Sequence, residues 1–119
     1  MKSMHVVRFP NAPAYTAAGH EGMQMVYLQG REAGPTETVW LGVSTLEPGG
    51  GTLLDASLVE KIYVVLEGEV TISNGDDQRT LQKWDSCRIA PHEARKLKNH
   101  TGQPASILLV MPLGASKPP

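Results

Sequence analysis

The sequence predicts an all-β, single-domain barrel, and three observations carry that expectation. Twelve glycines and nine prolines cut the 119 residues into short pieces, as tight corners between strands require. The runs between them are rich in β-branched residues, most clearly Ile62-Tyr63-Val64-Val65-Leu66, and none carries the 3.6-residue apolar period of an amphipathic helix longer than about three turns. Asn74-Gly75 follows Val70-Thr71-Ile72-Ser73 as a strong hairpin signal, because both residues tolerate positive φ.

Length and charge narrow the function classes. A chain of this size builds one core of ordinary dimensions. A net charge of −1 gives no electrostatic reason to expect nucleic acid or an anionic membrane surface as a partner. No apolar run approaches the roughly 20 residues of a membrane helix, and Lys2, His5 and Arg8 interrupt the segment where a signal peptide would be apolar. A cytoplasmic location is the expectation. The single cysteine, Cys87, forms no internal disulfide and builds no sulfur-based metal site.

Taken in order, His5 to Phe9 reads as a first strand halted by Pro10, which lacks the amide hydrogen a ladder needs. Residues 11–22 read as a loop, Met23 to Leu28 as a strand, and Arg31 to Thr36 as a loop around Gly34-Pro35. Thr38 to Leu46 is the longest β-rich run before the centre of the chain, and Glu47-Pro48-Gly49 reads as a turn. The next two strands, Ile62–Leu66 and Val70–Ser73, read as a β-meander that the Asn74-Gly75 turn extends to Gln78–Leu81. Ser86–Ala90, Arg95–Asn99 and Ala105–Met111 complete the strands, and the segment from Leu113 should fray. The expected organisation is residues 1–22 as N-terminal strand and loop, 23–113 as barrel and 114–119 as a flexible tail.

The segment from Gly49 to Gly68, GGGTLLDASLVEKIYVVLEG, resembles the first motif of the cupin superfamily, Gly-x5-His-x-His-x3/4-Glu-x6-Gly, with Gly49, Asp55, Ser57, Lys61 and Gly68 on its spacing. WDSCRIAPHEARKLKN is similar to the second motif, Gly-x5-Pro-x-Gly-x2-His-x3-Asn, through Trp84, Ala90, His92, Arg95 and Asn99. The resemblance spans roughly half the chain. It implies a jelly-roll β-barrel in which the N-terminal strand often pairs across a dimer. The family's metal ligands are the two His and the Glu of the first motif and the His of the second. Position by position they become Asp55, Ser57, Lys61 and Arg95, so no metal and no other cofactor is expected.

Strand alternation puts Asp55, Ser57, Lys61, Tyr63 and Val65 on one parity if the register is unbroken, and the resemblance makes that parity the barrel lining. Ile62, Val64 and Leu66 then form an apolar outer face, which a second subunit would cover. A homodimer is expected. Inside, Lys61 and Arg95 would stand where ligands of a divalent ion stand elsewhere in the family. Two buried cations need compensation, from Asp55 or from an anionic ligand. Lysine beside arginine loses basicity, and a neutral lysine can act as a base or form a Schiff base.

The expectation is therefore a small-molecule-binding protein that acts without metal on a small carboxylate- or carbonyl-bearing metabolite, as an isomerase, dehydratase or decarboxylase. Lys61, Arg95, Asp55 and His92 are its candidate catalytic residues, and Ser57, Tyr63 and Arg95 its candidate substrate contacts. Each has a plainer alternative. A register slip of one would turn Lys61 outward toward Glu60, although the six residues between Lys61 and Gly68 favour the inward reading. Arg95 could hold its head in water at the rim. Asp55 and Ser57 could bond their own backbone, His92 could be a solvated loop residue, and Tyr63 could serve packing alone. Cys87 reads as a small buried hydrophobe, and His5, His20 and His100 lack the i, i+2 spacing of paired ligands. For the whole chain the alternatives are a non-catalytic anion-binding or sensing module, a metal held through atypical ligands, and a dimerising scaffold with a plugged barrel.

Overall fold

A computed structural model describes residues 3–114. Among them are ten strands and two short 3-10 turns, Phe9–Asn11 and Arg31–Ala33, with no α-helix. The strands are β1 (Ala14–Tyr15), β2 (His20–Gln29), β3 (Val39–Thr52), β4 (Asp55–Ala56), β5 (Lys61–Glu67), β6 (Val70–Ser73), β7 (Gln78–Leu81), β8 (Ser86–Ile89), β9 (Ala94–Lys98) and β10 (Ala105–Pro112). They pair in the order β7-β6-β9-β3-β10-β5-β8, with β2 joining β1 to β3 and β4 lying on β9, and every pairing is antiparallel. This is a sheet rolled around one core, the jelly-roll barrel the motifs imply.

The alternation of β5 is realised. Lys61, Tyr63 and Val65 are buried while Ile62 is exposed and Val64 and Leu66 are half-buried. Tyr63 and Val65 join Trp40, Leu46, Ile72, Leu97, Ile107 and Met111 in the core. The motif spacing is mirrored in the backbone: Gly49, Gly68, Trp84 and His92 all have positive φ, at 82°, 76°, 74° and 69°. The family places glycine at all four, because glycine alone adopts this region without a Cβ penalty. This chain keeps the conformation even where the residue is Trp or His.

Four local expectations are corrected. Residues 5–9 form no strand: the His5 ring bonds the Ala33 carbonyl and the His5 carbonyl accepts from Gln29 Nε2, so side chains replace a ladder there. The 11–22 loop contains β1, and β2 begins within it at His20. Glu47-Pro48-Gly49 does not end its strand. β3 runs 14 residues through it, pairing β10 before the corner and β2 on both sides of it, and meeting β9 at Gly51↔Lys98 after it. Finally, β5 and β6 are not a meander. β5 pairs with β10 and β8, β6 with β7 and β9, so Gly68 carries the chain across the barrel.

The β6–β7 hairpin forms, closed by Asn74 Oδ1 accepting from the amides of Asp76 and Asp77, and there only Gly75 takes a positive φ. Most of the tail, residues 115–119, lies outside the described residues.

Candidate functional site

Lys61 and Arg95 are 1% and 2% exposed, so the outward register slip for Lys61 and the rim alternative for Arg95 do not hold. β9 aims Arg95 inward between Asp55, its register partner on β4, and the β5 side chains across the barrel. Its Nε donates to the Tyr63 hydroxyl at 2.9 Å. Nη1 donates to Thr52 Oγ1 at 3.3 Å and the Leu53 carbonyl at 3.4 Å, and Nη2 lies 3.5 Å from His20 Nε2. Lys61 Nζ donates to Ser57 Oγ at 2.5 Å. Among the described residues, every group hydrogen-bonded to either cation is neutral. Burial first, and then the Arg95 charge, lower the Lys61 pKa to about 8, while Asp55 works the other way.

Asp55 is exposed at the mouth and its Oδ1 accepts from the Ala56 amide, the local bonding expected of a loop aspartate. It stands close enough to favour the charged forms of Lys61 and His20. Ser57 is half-buried and its hydroxyl also donates to the Val59 carbonyl. His92 is exposed, and its backbone N–H donates to the Ser57 carbonyl at 2.8 Å. Tyr63 is buried. Burial raises its pKa and Arg95 opposes the rise. Glu60, the alternative inward residue, is tied to Arg88 on the outside. Cys87 is half-buried, and burial raises its thiol pKa, away from a nucleophile's range.

His20, Thr52 and Tyr15 were not anticipated. His20 Nδ1 bonds the Ala18 carbonyl at 2.9 Å, which puts the ring proton there and leaves Nε2 as the acceptor facing Arg95. Burial lowers its pKa, and Arg95 adds to that, so the neutral form is favoured. Thr52 Oγ1 also accepts from the Leu97 amide at 3.0 Å, tying β3 to β9 beside the guanidinium. Tyr15 stacks on Tyr27 at 4.2 Å and meets Trp40 edge-on, and burial raises its pKa. No motif marks these residues, since His20 and Arg95 are 75 positions apart.

The donor set does not fit a divalent ion. Lysine and arginine offer no lone pair in their charged forms, and among the described residues no three His, Cys, Asp or Glu side chains cluster where a metal could be held. Among them, too, no helix is long and apolar enough to cross a membrane.

A β-barrel with motif-spaced polar residues on its inner face defines the class, and the family profile for the cupin domain matches residues 42–111. The chain belongs to the cupin family. It is 36% identical over 108 residues to a protein named beta-D-galactosidase from Mycobacterium tuberculosis, covering 91% of this chain and 93% of that one. Among solved structures it is similar to the polyketide cyclase RemF from Streptomyces resistomycificus, with a TM-score of 0.84 at 21% identity, over 98% of this chain and 83% of that one. A RmlC-like cupin from Shewanella frigidimarina superposes with a TM-score of 0.76 at 15% identity, over 94% and 93% of the two chains. At these identities the two structures share the fold.

Proposed function

We propose that this cupin binds a small carboxylate- or carbonyl-bearing metabolite at Lys61 and Arg95 and converts it without a metal ion, as an isomerase, dehydratase or decarboxylase. The observation that carries the reading is the pair of buried cations bonded only to neutral groups. Desolvating a charge costs several kcal/mol unless it is paired, and an anionic ligand completes the pairing. Arg95 offers a fork for a carboxylate. Lys61, with a pKa of about 8, has a neutral fraction at neutral pH that can take a proton or attack a carbonyl. In the covalent version the amine nitrogen bonds the carbonyl carbon and the oxygen leaves as water. The imine then draws electrons from the bond that breaks at the neighbouring carbon. In the non-covalent version the two cations stabilise the developing enolate. Asp55 or His92 moves the proton.

Under this reading the protein works in the cytoplasm as a homodimer. Ile62, Val64, Leu108 and Val110 form an incompletely buried apolar outer face on β5 and β10, and Met4, Val6 and Phe9 are exposed on the N-terminal segment.

Treatment with pyruvate and sodium borohydride, followed by intact mass, tests the covalent version: the expected product is a reduced adduct that Lys61→Met abolishes. No adduct removes that version alone. A thermal-shift panel of small carboxylates tests the anion site itself, and a panel without any shift removes it. Binding without turnover of any bound compound would leave a non-catalytic anion-binding module.

A second reading, hydrolysis of a β-galactoside, is favoured by the 36% identical relative. Glycosidases of the usual kind flank the scissile bond with two carboxyl groups. Here Asp55 is exposed, Glu60 is paired with Arg88, and Glu93 is bonded to Asn74 and the Ala90 amide. Release of nitrophenol from a nitrophenyl β-galactoside, undiminished in Lys61→Met, would replace the first reading with this one.

A further inference from the structure

The fold leaves three leucines in the open on one link, and two of them line a cavity with Arg95. Leu53, Leu54 and Leu58, on the link between β3 and β5, are 68%, 49% and 74% exposed. Single exposed leucines are ordinary, but Leu53 and Leu54 stand together at one cavity, which marks a contact surface. Two of the three have defined neighbours. The Leu53 amide donates to the Gly19 carbonyl at 2.8 Å, and its Cδ1 lies 3.6 Å from where a Cβ on Gly19 would stand, which sets it against the link into β2. Leu54 Cδ2 comes within 3.5 Å of the corresponding point on Gly75, in the β6–β7 hairpin. A cavity of about 270 Å3 opens here, lined by Ala18, Gly19, Leu53, Leu54, Asp55 and Arg95. Arg95 is its buried member and its cation, and aliphatic side chains make most of the rest.

We infer that the ligand of this site is an amphipathic monocarboxylate, whose carboxylate meets Arg95 and whose alkyl or aryl tail lies along Leu53 and Leu54. The inference rests on the anion-site reading above and narrows its substrate class. A cavity of about 270 Å3 equals roughly nine waters of liquid volume, more than a two-carbon acid fills. The Asp55 carboxylate on the same wall repels a second negative charge, which selects one carboxylate over two. A tail on the leucines removes apolar surface from water in ligand and protein together.

The test is calorimetric titration, at pH 7, of acetate, butanoate, hexanoate and octanoate. Hexanol and the dicarboxylate adipate serve as controls, against wild type and Leu53→Ser/Leu54→Ser. Both leucines are exposed, so the variant keeps the core intact. The dissociation constant should fall about two- to fourfold per added methylene until the cavity is full. Hexanol and adipate should each bind at least about tenfold more weakly than hexanoate. The double variant should keep its affinity for the shortest binding acid and lose the dependence on chain length. Equal affinity across the series, or adipate binding better than hexanoate, overturns the inference and leaves the anion site standing. If no carboxylate binds at all, the anion site falls and the inference with it. A change in the variant's mass by light scattering, with chain-length dependence intact, would assign the leucines to a subunit contact and also overturn it.

Discussion

Arg95 Nε donates to the Tyr63 hydroxyl at 2.9 Å across the barrel interior, joining β9 to β5. Both side chains are buried. Tyr63→Phe should cost about 1–3 kcal/mol, the penalty for a buried donor left unmet, read as a lower urea midpoint with an unchanged slope. The same variant should weaken carboxylate binding, because one anchor of the guanidinium is gone.

Lys61 gives the pH dependence. Its folded-state pKa, about 8, lies below the ordinary 10.5, so between those values the unfolded chain binds more protons than the folded one. Stability therefore rises with pH across that window, while below pH 8 the charged lysine bears its full desolvation cost. Ligand binding runs the opposite way, since carboxylate affinity should fall as pH rises through about 8 and Lys61 loses its charge. Lys61→Met should remove both inflections, as measured by urea denaturation and by titration at pH 6.5 to 10.

His92 holds φ at 69°, which costs a non-glycine residue roughly 1–2 kcal/mol. His92→Gly should raise the urea midpoint, and His92→Val should lower it because a β-branched side chain fits this region worst. A His92→Gly variant that binds ligand normally but turns it over at least tenfold more slowly would identify the ring as the proton carrier.

Gly51 meets β9 so closely that a Cβ there would stand 2.1 Å from the Leu97 carbonyl oxygen. Gly51→Ala must push β3 away from β9, beside Thr52 and two residues from the Leu53 carbonyl that meets Arg95. Overpacking of this kind costs about 1–3 kcal/mol. The thermal midpoint should drop, and carboxylate affinity should drop with it.

Ile62 pairs with Val110 on the outer face of β5 and β10. The wild type should sediment as a dimer, and Ile62→Glu/Val110→Glu should sediment as a monomer with an unchanged far-ultraviolet circular dichroism spectrum. A wild type that sediments as a monomer at micromolar concentration ends the dimer proposal.

What was legible in the residues was local. The inward parity of Lys61, Tyr63 and Val65 follows from the two-residue period of a strand, and it survived folding because Tyr63 and Val65 belong to the core. Trp84 and His92 stood on the motif spacing, but their positive φ became visible only in the structure, because neither residue type signals it. The neighbours of Arg95 were not legible. Thr52 lies 43 positions away and His20 lies 75; Thr52 occupies an unspecified position of the first motif and His20 lies outside both motifs, so no spacing joined either to Arg95.

The chain's own order thus determined the all-β class, the strands from β5 onward and the places of Lys61 and Arg95 on the motif spacing, because propensity, turn chemistry and strand parity act over a few residues. Only the tertiary structure decided that Pro48-Gly49 bends a continuing strand, that β5 and β6 part company at Gly68, and that both cations are buried among neutral partners. Pairing and desolvation depend on which distant segments pack together, and no local pattern along the chain encodes that.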